Sequence, residues 1–184
     1  MLTLFKLSLK VKRYYILYRA FRKLRKLRHI HYRMPADKNN AYVVCLHGFG
    51  KIGKDFTRSS EVPLNAALDY GYSILLSAFN REVAANGYLT QLGLHHGNVF
   101  NQFNLSSDLM EPFRPIVDRE VYAAMPKEMT TETKRMLYNL MNRQICIAGC
   151  RQTVLNAISV YTKSVFDALN EANTDLIKFW SYEL

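Results

Sequence analysis

From Glu61 onward, apolar residues recur every three or four positions, and this periodicity constrains the fold more than any other feature of the sequence. It predicts an amphipathic helix over about 62–79, with Pro63 in the first turn. Further helical patterns cover about 107–125, 131–141 and 151–171. Between the last two, residues 144–150 are strand-like and turn at Gly149, which predicts a small β-hairpin. The fold class is therefore mainly α.

The positive charge of the chain is concentrated at its N-terminal end. Residues 1–33 contain eleven of the 25 Lys and Arg residues and no Asp or Glu, although the whole chain carries a formal charge of +10. We therefore divide the chain into a basic leader and linker (1–40) and a nearly neutral helical domain (41–184). The leader has helical spacing that would suit a phosphate backbone or an anionic membrane surface, but an unstructured or foreign segment is an equally simple interpretation.

Compartment follows from what the sequence lacks. The leader has neither the uninterrupted apolar core of a signal peptide nor an apolar stretch of about twenty residues. The three cysteines, Cys45, Cys146 and Cys150, form no C-x-x-C pair. Such a set fits neither a disulfide scaffold nor a zinc ribbon, so we expect a cytoplasmic protein.

An apolar run, Tyr42 to Leu46, ends in His47-Gly48-Phe49-Gly50 and predicts a buried strand followed by a turn. This phrase superficially resembles the oxyanion-hole strand of α/β-hydrolases. That fold also requires a G-x-S-x-G nucleophile elbow, and the sequence contains none. The α/β-hydrolase class is therefore excluded.

The segment from Leu92 to Asp118 carries the candidate chemistry. Asp108 and Glu111 stand three positions apart, which on one helical face lets two carboxylates converge on a cation, and His95 and His96 precede them. Imidazole and carboxylate ligands together suit Mn²⁺, and carboxylates with water suit Mg²⁺. By themselves these residues are also compatible with a solvated helix start and a histidine pair on a loop.

The chain from about Gly53 to its end resembles the C-terminal domain of the CRISPR-associated endonuclease/integrase family of spacer acquisition, in the form found with type II systems. The phrases that match in order are Gly53 to Arg58, Asn65 to Tyr72, Leu94-His95-His96, Asn101 to Leu105 and Asp108 to Pro115. The resemblance implies the helical catalytic domain of that integrase type, with a small β-hairpin, preceded here by the short basic segment.

The resemblance also implies a divalent metal site for Mg²⁺ or Mn²⁺. Aligned on the D-L-M-E segment, the ligands fall on His96 and Glu111, with Asp108 as a further ligand or as a residue that orients one. His95 is the alternative if the register shifts by one residue. Lys54, Arg58 and Arg81 are candidates for contacts with DNA phosphates, although solvated surface charge explains them equally well.

By the same resemblance, the expected reaction is insertion of spacer DNA beside a repeat by phosphoryl transfer, with His96, Glu111 and Asp108 as the catalytic set. The expected partners are double-stranded DNA, a second copy of the chain and a small ferredoxin-like Cas protein, with no membrane. The alternative is a truncated, catalytically impaired remnant that acts at most as a DNA-binding or interaction module.

That alternative arises because the chain departs from the family pattern before Gly53. The family has a further metal-binding glutamate in an upstream helix, whereas this sequence has no Glu before Glu61. The β-rich N-terminal domain of the family has no counterpart in residues 1–52. A truncated or frameshifted gene copy would have this organisation.

Overall fold

The computed structural model describes residues 62–182, so the predicted leader and linker (1–40) and the predicted strand after them lie outside the described residues. Within the described range, five α-helices alternate with short 3-10 turns and strands. The helices are α1 (Pro63–Ala85), α2 (Asn104–Met110), α3 (Arg114–Ala124), α4 (Thr131–Asn139) and α5 (Val154–Glu171). The strands are β1 (Gln144–Ile147), β2 (Cys150–Thr153) and β3 (Trp180–Ser181).

The predicted mainly α fold with a small β-hairpin is confirmed, and the helix boundaries differ in one informative place. The single helix expected over 107–125 is instead α2 and α3, joined by a 3-10 turn at Glu111–Phe113. Pro112 lies in the first positions of that turn and Pro115 in the first positions of α3. Proline is tolerated at the start of a helix because its missing N–H has no partner to lose there, so the two prolines divide the segment.

Helix α1 is the central element of the bundle, since α2, α3, α4 and α5 all pack against it. The close approach of α3 depends on Gly71, because a Cβ at this position would lie 2.4 Å from Val117 Cγ1. Helix α1 ends at Ala85 and is followed by a turn at Asn86-Gly87, with Gly87 at φ 77°. Neither α1 nor any other helix in residues 62–182 is long and apolar enough to cross a bilayer.

Three aromatic rings from different elements fill the centre of the core. Phe79 of α1 lies edge-on to Phe113, with ring centroids 5.2 Å apart, and Tyr161 of α5 lies 5.4 Å from Phe113. All three side chains are buried. Edge-to-face pairs of this kind stabilise a core beyond the burial of their area. Because Phe113 belongs to the 3-10 turn, the core fixes the turn that carries Glu111.

The hairpin is part of a three-stranded antiparallel sheet with the strand order β2-β1-β3. Strands β1 and β2 are joined at Ala148 and Gly149, which have φ values of 53° and 75°. Positive φ at both central residues is the condition for the tightest hairpin turn. Strand β3 was not expected from the sequence; it adds Trp180 to the sheet opposite Ile147.

Candidate active site

Asp108 is a buried carboxylate, 3% exposed, around which the preceding loop is folded. Its Oδ2 accepts hydrogen bonds from the backbone N–H groups of Leu94 and His95, the latter at 2.8 Å. The N–H of His96 lies 3.2 Å from Oδ1 and 3.3 Å from Oδ2. Three successive backbone N–H groups thus form a concave donor site for one anion. These bonds compensate the carboxylate for leaving water.

The same carboxylate holds the ring of His96. Its Oδ1 lies 2.6 Å from His96 Nδ1, and the histidine side chain is 39% exposed. An ionised carboxylate can only accept, so the proton between the two groups belongs on Nδ1. In the neutral form of the ring, this tautomer has its lone pair on Nε2. A histidine held in this way by a carboxylate has the orientation and tautomer that a metal ligand requires.

Glu111 has different surroundings, because it begins the 3-10 turn instead of continuing the helix of Asp108. Its Oε1 lies 3.0 Å from Arg114 Nε, and its side chain is 39% exposed. The guanidinium of Arg114 in turn lies 4.7 Å from the centre of the Tyr72 ring, and the Tyr72 hydroxyl donates to Asp118. Arg114 thus contacts Glu111 directly and lies over the tyrosine that binds Asp118.

The turn that carries Glu111 is also held from the C-terminal end of the described chain. The indole N–H of Trp180, in β3, donates to the backbone carbonyl of Pro112 at 2.9 Å. The Trp180 ring lies 5.8 Å from that of Phe113, and Trp180 is 3% exposed. Sequence reasoning did not identify this contact. Its only signal was the aromatic cluster Phe179-Trp180-Ser181-Tyr182 near the end of the sequence.

Gly93 is a second residue that sequence reasoning did not identify as part of the site. A Cβ at this position would lie 2.2 Å from the backbone oxygen of His96 and 2.9 Å from Asp108 Oδ2. Any side chain would therefore push the loop away from the carboxylate. The glycine immediately before Leu94-His95-His96 was the available signal.

Tyr161 lies beneath this region in the core. Burial, and to a smaller extent the negative charge of Asp108, raise the pKa of the Tyr161 hydroxyl above its ordinary value. The hydroxyl therefore stays protonated at all physiological pH values. Tyr161 accordingly adds no charge beside Asp108.

Of the three predicted DNA-contacting residues, the structure describes only Arg81. Lys54 and Arg58 lie outside the described residues. Arg81 is exposed on α1, and its guanidinium pairs with the neighbouring Glu82 at 3.0 Å. Among residues 62–182, no three His, Cys, Asp or Glu side chains are grouped as a metal site would require.

His96 and Asp108 lie within a segment of the chain that matches a known protein family. The family model described as "CRISPR associated protein Cas1" matches residues 53–157. This chain belongs to the Cas1 family. The predicted resemblance is thereby confirmed, and the match includes the loop with His96 and the turn with Glu111.

Curated relatives agree with the family model. The chain is 32% identical to a CRISPR-associated endonuclease Cas1 of Neisseria meningitidis over 143 residues, which are 75% of this chain and 47% of the relative. It is 36% identical to a Cas1 endonuclease of Thermus thermophilus over 86 residues, 46% of this chain and 26% of that protein. The chain thus spans about half, or less, of the length of these Cas1 relatives.

A solved structure supports the fold. A chain titled "Casposase bound to integration product" superposes with a TM-score of 0.51 and 23% identity, over 60% of this chain and 38% of the casposase. At this identity the likeness shows a shared fold. The helical arrangement of this Cas1 domain is therefore also that of a casposase.

Proposed function

We propose that this chain provides the metal-binding helical part of a CRISPR spacer-acquisition endonuclease/integrase. The observation that carries the proposal is the His96 ring, held through Nδ1 by the buried Asp108 within a Cas1 family domain. Metal-binding histidines almost always donate their other ring N–H to a carboxylate, a carbonyl or water, and the contact of His96 with Asp108 is of this kind. The half-exposed ring leaves Nε2 as the atom that would bind a ligand.

The chemistry of two side chains, an imidazole and a carboxylate, suits a divalent cation. His96 would bind Mg²⁺ or Mn²⁺ through Nε2, and Glu111 would bind it through the carboxylate oxygen that does not face Arg114. The contact of Asp108 with His96 favours His96 over His95 as the ligand and makes Asp108 a positioning residue. Because no third protein donor joins them within residues 62–182, water and a DNA phosphate oxygen would complete the coordination.

The roles of the chain's own residues follow from this arrangement. A bound ion of this kind supplies Lewis-acid stabilisation of the charge that develops on the scissile phosphate. Asp108 orients the His96 ring through Nδ1, and the backbone N–H groups of Leu94, His95 and His96 hold the Asp108 carboxylate in place. Arg114 restricts Glu111 to one side of its turn. The proposed reaction is the in-line attack of a DNA 3′-hydroxyl, or of water, on the phosphorus.

The substrate and partners belong to the same proposal. We propose double-stranded DNA as the substrate, inserted beside a repeat, with a second copy of the chain and a small ferredoxin-like Cas protein completing the complex. Lys54, Arg58 and Arg81 would contact DNA phosphates, and Arg81 is 59% exposed, so that its pair with Glu82 can exchange for a phosphate. The division at residue 40 into a basic leader and a helical domain, and the cytoplasmic location, are retained as proposals.

The decisive experiment is isothermal titration of the purified chain with Mn²⁺, carried out on the wild type, His96→Ala and His95→Ala. We expect binding by the wild type and by His95→Ala, and no binding by His96→Ala, because only the His96 ring is oriented by Asp108. The adjacent exposed histidine is a matched control for the loss of an imidazole. Loss of binding only in His95→Ala would shift the ligand to His95.

The alternative function makes a different prediction for the same titration. A remnant that acts only as a DNA-binding or interaction module would bind no Mn²⁺ at millimolar concentration in any of the three forms. The absence of a third grouped ligand within residues 62–182 is the observation that favours it. That result would end the enzymatic proposal for this chain.

A further inference from the structure

The loop between His96 and α2 exposes two apolar side chains at its tip. Val99 and Phe100 are each 94% exposed. Isolated exposed apolar residues are common on protein surfaces. Two large ones that are adjacent and almost fully exposed, however, contribute nothing to the packing of the core. Their position, three and four residues after His96, connects them to the candidate active site.

The conformation of this tip is fixed by hydrogen bonds of the loop itself. Asn98 Oδ1 accepts from the N–H of Phe100 at 3.0 Å, and the Asn98 carbonyl accepts from the N–H of Asn101 at 3.0 Å. The same carbonyl accepts from Nδ2 of Asn104, at the start of α2, at 2.8 Å. Asn104 is buried, so the tip is anchored to the bundle. These bonds hold the backbone of the tip in a conformation that exposes the Phe100 side chain.

The tip is also close to His96 and carries no charge. Four residues of chain span at most about 14 Å, which is the length of roughly four stacked base steps of DNA. Residues 91–107 contain no Lys, Arg, Asp or Glu. In proteins that bind single-stranded nucleic acid, basic residues follow the phosphate backbone and aromatic side chains stack on the bases, so an exposed aromatic ring without charged neighbours suits contact with a base face.

We propose that Phe100, assisted by Val99, stacks on a nucleobase of the DNA whose phosphate is held at His96. Such a contact requires at least one unpaired base near the reacting end, because a paired and stacked base offers no open face. Stacking of this kind is tolerant of sequence, since every base has an aromatic face. This inference rests on the proposed function and adds the contact that positions the DNA end.

The test uses a DNA duplex with a short single-stranded 3′ end that carries 2-aminopurine, titrated with the full chain in EDTA so that no metal is needed. Binding is followed by anisotropy, and stacking by quenching of the 2-aminopurine fluorescence. We expect Phe100→Ala to weaken binding by about five- to thirtyfold and to abolish the quenching, whereas Phe100→Tyr retains both. Tyr138→Ala, which removes a 64% exposed aromatic ring from α4, is the matched control and should change neither.

The outcomes separate this inference from the proposed function. If the wild type binds the DNA and Phe100→Ala binds with equal affinity and equal quenching, the stacking contact is refuted and the proposed function is unaffected. If the wild type binds no DNA in EDTA, the stacking contact is refuted, whereas the proposed function is decided separately by the Mn²⁺ titration. A blunt duplex bound as tightly as the one with an unpaired end would also refute the contact. The stacking contact is supported if Phe100→Ala weakens binding of the duplex with the unpaired end and leaves binding of the blunt duplex unchanged.

Discussion

The two candidate ligands are held in opposite ways. His96 is fixed by a buried carboxylate that collects backbone N–H groups from its own loop, so the site and the fold share the same bonds. Glu111 is fixed at the surface, by one partly exposed ion pair, on a turn whose backbone is held by packing and by Trp180. A substitution that removes the Asp108–His96 contact should therefore also destabilise the loop. Glu111, in contrast, can be substituted with little loss of stability.

The break between α2 and α3 gives Asp108 and Glu111 these different surroundings. A regular helix would place Asp108 and Glu111 on one face and expose both to the same cation. In the structure, the 3-10 turn at Pro112 separates their roles, because Asp108 faces the loop of His96 while Glu111 faces Arg114. Asp108 thereby positions the His96 ring, and Glu111 is the carboxylate that remains available to bind a cation.

The largest expected effect is on the Asp108 side. Asp108→Ala should lower the free energy of unfolding by about 3 kcal/mol or more, because it leaves buried backbone N–H groups and a histidine without their acceptor. Glu111→Ala should lower it by no more than about 0.5 kcal/mol, since its ion pair is partly exposed to solvent. Urea denaturation of both variants measures the contrast. Equal losses of stability would contradict the comparison.

The next largest effect concerns the close packing of the loop at Gly93 and not the charge of Asp108. Gly93→Ala should cost about 2 kcal/mol, because the added methyl group would meet backbone at His96 and the Asp108 carboxylate. Gly97→Ala is the matched control in the same loop, since a Cβ there would meet nothing within 4 Å. Thermal unfolding of the pair gives the difference. If the Gly97 variant loses as much stability as the Gly93 variant, the close approach at Gly93 is not what restrains the loop.

The sequence predicted the helices and the hairpin because these depend on local patterns. Apolar spacing defined α1 and α5, and Gly149 marked the β-turn. The interruption at Pro112 was only partly predictable, because the apolar spacing indicated one helix over about 107–125 although this stretch contains two prolines. In the structure, α2 ends at Met110 and α3 begins at Arg114.

The contacts that define the site were not predictable from spacing alone. That Asp108 orients His96 depends on the fold of the loop between residues 93 and 96, which brings three N–H groups to one carboxylate. Strand β3 is two residues long and carries no periodic signal. Its contact with Pro112 joins positions 68 residues apart, and such long-range pairs leave no trace in a single sequence.

The smallest expected effect concerns that long-range contact and would sharpen the comparison on the Glu111 side. Trp180→Phe keeps an aromatic ring in the core but removes the N–H that donates to the Pro112 carbonyl, so the loss of stability should be about 1 kcal/mol. If Trp180 positions the turn, Mn²⁺ affinity should also fall, while the variant stays fully folded at the titration temperature. Ser181→Ala, exposed on the same strand, should alter neither quantity. A variant that loses stability but binds Mn²⁺ as the wild type does would show that packing of Phe113 alone keeps Glu111 in place.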